Sequence, residues 1–149
     1  MKKILFTLFF VFSILIQYSF ADENDDFVKQ VFTELDMNRD GVIDKKDMQK
    51  FSKKEFNLMD KNKDGIVSKE EFFGFVCKKS CKQGNCECES HANKENLDYL
   101  KEYWDRIDKN GDGQITFQEK LNSDLDDFYG LDSNGDEKIT KDEVEAQLY

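Results

Sequence analysis

The sequence predicts an all-α protein made of four helix-loop-helix units, with short antiparallel β contacts between the loops. Three observations predict it. Twelve-residue segments beginning at Asp36, Asp60, Asp108 and Asp132 share one spacing of oxygen-bearing side chains: DMNRDGVIDKKD, DKNKDGIVSKEE, DKNGDGQITFQE and DSNGDEKITKDE. Four residues before each stands an aromatic residue (Phe32, Phe56, Trp104, Phe128), and immediately before each stands Leu35, Met59, Ile107 or Leu131. Each segment also carries one β-branched apolar residue at its eighth place: Ile43, Val67, Ile115 and Ile139.

The helices follow from the flanks. Apolar residues three apart share one face of a helix, so each polar segment follows an amphipathic helix that must bury that face. Exiting helices are predicted from Met48 with Phe51, Phe72 with Phe75 and Val76, Leu121 with Leu125, and Val144 with Leu148. The aromatic residues, Trp104 included, are expected in the core. Only Met48 to Met59 separates the first two loops, and Lys120 to Leu131 the last two, so each gap holds a single helix. A straight helix of that length sets its two loops roughly 20 Å apart, too far to pair with each other. The stretch from Phe72 to Ile107 has room for a helical hairpin. Loop 2 should therefore pair with loop 3 through Val67 and Ile115, and loop 1 with loop 4 through Ile43 and Ile139.

The spacing within the loops resembles the D-x-[DN]-x-[DN]-G-x5-E pattern of the EF-hand family of calcium-binding proteins. Calcium takes six to eight oxygen ligands in an irregular shell, which such a loop can supply. The resemblance implies that loop 2 offers Asp60, Asn62 and Asp64, the Ile66 carbonyl, Ser68 through water, and Glu71 as a bidentate carboxylate, around a turn at Gly65. Loop 3 offers Asp108, Asn110, Asp112, the Gln114 carbonyl, Thr116 and Glu119 around Gly113. These two match fully and should bind best of up to four calcium ions. Loop 1 offers Asp36, Asn38, Asp40, the Val42 carbonyl and Asp44 but ends in Asp47, one methylene shorter than glutamate, which makes a bidentate grip harder and helps the smaller magnesium compete. Loop 4 offers Asp132, Asn134, Asp136, the Lys138 carbonyl, Thr140 and Glu143, with Glu137 where the turn wants glycine. A Cβ there costs about 1 kcal/mol or more in a left-handed conformation. Lys120 stands where the family usually has an apolar residue. The plain alternative for any one loop is a polar turn, which four aligned copies make a poor account.

Residues 1–21 read as a cleaved signal peptide: Lys2 and Lys3 precede the apolar run Ile4 to Ile16, and Ser19-Phe20-Ala21 offers small residues before Asp22. A retained membrane anchor is the alternative, although the run is short for a span of roughly 20 residues. Secretion or a periplasmic location follows, and the last residues, Ala146-Gln147-Leu148-Tyr149, lack an ER-retention signal. Residues 22–149 then form one EF-hand domain, with hands 1 and 2 at about 27–79, a Cys-rich linker at 77–94, and hands 3 and 4 at about 95–149. Without the leader the chain keeps 20 of its 22 basic residues against 32 acidic ones, and much of that acidity is assigned to metal ligands. Such a balance argues against nucleic-acid binding. Clustered carboxylates should also couple folding to metal binding.

Cys77, Cys81, Cys86 and Cys88 lie within one stretch of the linker. In an exported protein four close cysteines suggest two disulfides, and three connectivities satisfy them. Nested pairs Cys81 with Cys86 and Cys77 with Cys88, around a turn at Gly84-Asn85, would staple the hairpin. The rival is a zinc site with His91 as a substitute ligand. No nucleophile stands beside a base, so an enzyme is not expected. Two functions remain: a calcium buffer or calcium-stabilised module, or a calcium sensor that exposes a surface to a protein partner. Beyond the leader there are only Met37, Met48 and Met59, against nine phenylalanines. Sensor grooves tend to be rich in methionine, so this composition favours the first.

Overall fold

The computed structural model describes residues 23–80 and 94–148. Helix α1 (Glu23–Leu35) leads into strand β1 (Ile43–Asp44) and helix α2 (Lys45–Met59). Strand β2 (Ile66–Ser68) and helix α3 (Lys69–Ser80) follow, then α4 (Lys94–Ile107), β3 (Gln114–Thr116), α5 (Phe117–Leu131), β4 (Lys138–Ile139) and α6 (Lys141–Ala146). The four predicted helix-loop-helix repeats are present. Each entering helix ends at the first aspartate of its loop: the amides of Asp36, Asp60, Asp108 and Asp132 still donate to the carbonyls of Phe32, Phe56, Trp104 and Phe128, at 2.8–3.0 Å.

The loops pair as their spacing requires. Strand β1 lies antiparallel to β4 with Ile43 opposite Ile139, and β2 lies antiparallel to β3 with Val67 opposite Ile115. All four of these β-branched side chains are fully buried, so each short ladder is sealed by an apolar pair as well as by backbone bonds.

The contacts divide the chain into two units, one comprising residues up to Ser52 together with Asp124–Tyr149, the other Lys53–Ser123. The first unit carries loops 1 and 4. Its core holds Val28, Val31, Phe32 and Leu35 from α1, Ile43, Met48 and Phe51, then Phe128, Leu131, Ile139 and Val144. Phe32 and Leu35 are the face that the sequence predicts to be buried, and Val28 and Val31 extend it. In this unit the buried Ser52 Oγ lies 2.8 Å from the Met48 carbonyl and 2.6 Å from Asp124 Oδ2.

The second unit carries loops 2 and 3 around an aromatic core. The Phe72 ring stacks on Tyr103 with centroids 5.7 Å apart and meets Trp104 edge-on at 5.3 Å, which packs α3 against α4. Phe56 meets Phe117 edge-on. Lys120, at a position that usually carries an apolar side chain, is buried, and its Nζ lies 3.3 Å from Glu55 Oε2, with the two side chains only 1% and 4% exposed. The ion pair makes burial of that lysine tolerable, because a buried charge without a counter-charge is strongly destabilising.

The predicted signal segment and the positions of Cys81, Cys86, Cys88 and His91 lie outside the described residues, as does the Cys77 side chain. Among the described residues no helix is long and apolar enough to cross a membrane.

Candidate metal centres

Each loop is a turn wrapped around its first aspartate. One oxygen of that carboxylate accepts the amide five residues on: Gly41 to Asp36 Oδ2 at 2.9 Å, Gly65 to Asp60 Oδ2 at 3.1 Å, Gly113 to Asp108 Oδ2 at 3.0 Å, and Glu137 to Asp132 Oδ2 at 2.9 Å. The donating residue takes positive φ in every loop, 89° at Gly41 and Gly65, 79° at Gly113 and 65° at Glu137. Glu137 therefore adopts the conformation for which glycine is preferred.

The third and fifth positions interlock in the same way. Asn38, Asn62, Asn110 and Asn134 accept the amides of Asp40, Asp64, Asp112 and Asp136 at 2.7–2.8 Å. Those aspartates accept the amides of Val42, Ile66, Gln114 and Lys138 at 2.9–3.1 Å. The last four residues stand at or beside the strands, so the ladder holds the backbone whose carbonyls the sequence nominates as ligands. A second left-handed residue, at loop position four, is Arg39, Lys63, Gly111 or Gly135. The sequence carries no common signal for it, because glycine marks it only in loops 3 and 4.

The twelfth residue ties the loop to the helix that leaves it. In loop 3, Glu119 Oε2 accepts Thr116 N at 2.9 Å and Thr116 Oγ1 at 2.8 Å, while Thr116 Oγ1 accepts the Glu119 amide. Loop 4 builds the same reciprocal capping box from Thr140 and Glu143. Loop 1 makes a shorter version, with Asp47 Oδ2 accepting Asp44 N at 3.3 Å.

The second oxygen distinguishes the loops. Glu71 Oε1 accepts the amides of Lys61 and Asn62, and Glu143 Oε1 those of Ser133 and Asn134. Burial pushes both carboxyls up, but hydrogen bonds, foremost from Ser68 to Glu71 and from Thr140 to Glu143, together with those on Oε1, outweigh it and hold them below the ordinary glutamate range. Glu119 Oε1, by contrast, is buried and accepts no hydrogen bond. Asp60 Oδ1 and Asp47 Oδ1 share that state, although Lys50 Nζ lies 3.7 Å from the latter. Burial foremost, with the nearby Asp44 charge, raises the Asp47 carboxyl above its ordinary value.

A buried carboxylate oxygen without a donor is costly unless a cation takes it. The orphaned oxygens at Asp60 and Glu119 are hard donors, of the kind that calcium takes. Among the described residues no three or more His, Cys, Asp or Glu side chains converge on a metal-sized point. Loops 2 and 4 would have to draw the glutamate oxygen away from its amides, whereas the free oxygen of Glu119 carries no such competition.

The chain is similar to EF-hand proteins: the family model described as EF hand matches residues 28–52, 53–75 and 101–119, stretches that contain the first three loops. This similarity supports calcium binding. No curated protein matches the chain.

Proposed function

We propose that the protein is an exported calcium-binding protein, a buffer or calcium-stabilised module rather than an enzyme, holding up to four ions in its loops. The observation that carries the reading is the pair of buried oxygens without a donor, Asp60 Oδ1 and Glu119 Oε1, one in each loop of the second unit. Ligands are assigned in loop order as Asp36, Asn38, Asp40, the Val42 carbonyl and Asp47; Asp60, Asn62, Asp64, the Ile66 carbonyl and Glu71; Asp108, Asn110, Asp112, the Gln114 carbonyl and Glu119; and Asp132, Asn134, Asp136, the Lys138 carbonyl and Glu143.

Loops 2 and 3 are the stronger pair. Loop 1 lacks the long twelfth carboxylate and loop 4 holds Glu137 in a left-handed conformation, and these two share one ladder. Export rests on the leader-like residues 1–21.

The test is calorimetric titration of the full chain with calcium, in magnesium at about 1 mM, read against the affinity range of EF-hand loops. Two tighter and two weaker sites are expected. Absence of binding heat, with no calcium retained in equilibrium dialysis, would refute the reading. Mass spectrometry of the chain recovered from outside the producing cells should show loss of residues 1–21.

A further inference from the structure

Trp104 does more than fill the core. Its Nε1 donates to Asp108 Oδ2 at 3.1 Å, and both residues are buried, 2% and 7% exposed. The same oxygen accepts the Gly113 amide at 3.0 Å, and Asp108 Oδ1 accepts the Gly111 amide at 2.9 Å. Asp108 opens loop 3. At the equivalent place four residues before the other loops stand Phe32, Phe56 and Phe128, whose rings have no N–H to offer.

We propose that Trp104 is a positioning residue for loop 3, its indole N–H locking the Asp108 carboxylate in one orientation before a divalent cation arrives. The inference rests on the calcium reading above. With two donors on Oδ2 the carboxylate cannot rotate without breaking both bonds, so less freedom is lost when an ion binds. The ring is itself fixed, edge-on to Phe72 and stacked on Phe73 with centroids 6.5 Å apart. An anchored donor orients its acceptor, which a mobile one would not. The hydrogen bond also withdraws charge from the carboxylate. The two effects move the calcium midpoint in opposite directions, and the titration below reads which is larger.

Trp104 is the only tryptophan in the chain. Growing the full-length protein with benzothienylalanine in place of tryptophan therefore exchanges one N–H for sulfur at this site and keeps the bicyclic shape. Calcium titrations followed by amide NMR then read individual loops, because the Gly113 amide reports Asp108 and the Gly41 amide reports Asp36. The analogue should move the Gly113 midpoint to about threefold to tenfold higher calcium, the scale of the net contribution of one typical hydrogen bond, and leave the Gly41 midpoint in place. Trp104→Phe, which also lacks the donor, should displace Gly113 at least as far.

An unchanged Gly113 midpoint in the analogue, or an equal displacement of Gly41, would overturn the proposal in favour of packing alone. Should neither substituted protein fold, the native chain decides: its indole N–H resonance must shift with the Gly113 midpoint, and an indole that ignores calcium while Gly113 responds overturns the proposal. Failure of the underlying calcium reading is distinguishable, since then no loop glycine responds in the native chain, and the positioning role falls with it.

Discussion

Glu137 Oε1 accepts a hydrogen bond from Lys45 Nζ at 2.5 Å, joining the left-handed turn of loop 4 to the residue that follows strand β1 of loop 1. The lysine ammonium also lies 5.1 Å from the Tyr129 ring centroid. The side chain that makes the turn unfavourable is thus also the one that ties the two loops together.

Glu137→Gly removes both effects, and salt separates them. A non-glycine residue in this conformation costs about 1 kcal/mol, while an exposed ion pair is screened at about 0.5 M salt. The variant should be more stable than the native chain by up to about 1 kcal/mol at high salt, with a smaller gain at low salt. Urea denaturation in chelator at two salt concentrations measures this, and a gain independent of salt would deny the tie any role.

Asp47 poses the opposite trade. Its side chain is buried, one oxygen lacks a hydrogen-bond donor, and its carboxyl is raised by that burial. Asp47→Asn keeps an oxygen for the Asp44 amide and removes the charge. The variant should gain stability in chelator at neutral pH, on the order of 1 kcal/mol, and calorimetry should count one fewer divalent ion per chain. Loss of stability in chelator would show that the charge is already compensated.

The acid dependence in chelator should carry the sign of Glu143. Burial raises its carboxyl, but bonds from Thr140, Ser133 and Asn134 prevail, and the folded-state value lies below that of the unfolded chain. Its contribution to stability is fully present above the ordinary glutamate pKa of about 4.3 and is lost as pH falls through the lowered folded-state value. Glu143→Gln, which can still form the capping box, should be less stable than the native chain at neutral pH and converge on it in acid. Urea midpoints measured at successively lower pH test this, and a gap that widens in acid would contradict it.

The pair of Lys120 and Glu55 should behave as a unit. Lys120→Met leaves the Glu55 carboxylate buried without this partner and should cost about 3–5 kcal/mol. Adding Glu55→Leu should make the double variant less destabilised than the two single changes predict together. Chemical denaturation of all four proteins gives the coupling, and strict additivity would mean that the two charges do not stabilise each other.

The sequence by itself determined the repeat: four loops, the helices around them, the buried aromatic stripe, and even the partner of each loop. These are local and periodic properties. A single helix between consecutive loops forbids their pairing, so Ile43 had to find Ile139 and Val67 had to find Ile115, as they do. Tertiary structure alone decided the polar contacts inside the two units. Lys120 looks in sequence like a surface charge at an apolar position, and only its meeting with Glu55, 65 residues away along the chain, explains its burial. Trp104 and Asp108 are four apart on one helical face, a spacing that permits contact, but packing against Phe72 and Phe73 fixes the ring with its N–H on the carboxylate. Which oxygen of each loop lacks a donor was likewise undetermined, because it depends on side-chain rotamers set by the assembled core rather than on residue type or spacing.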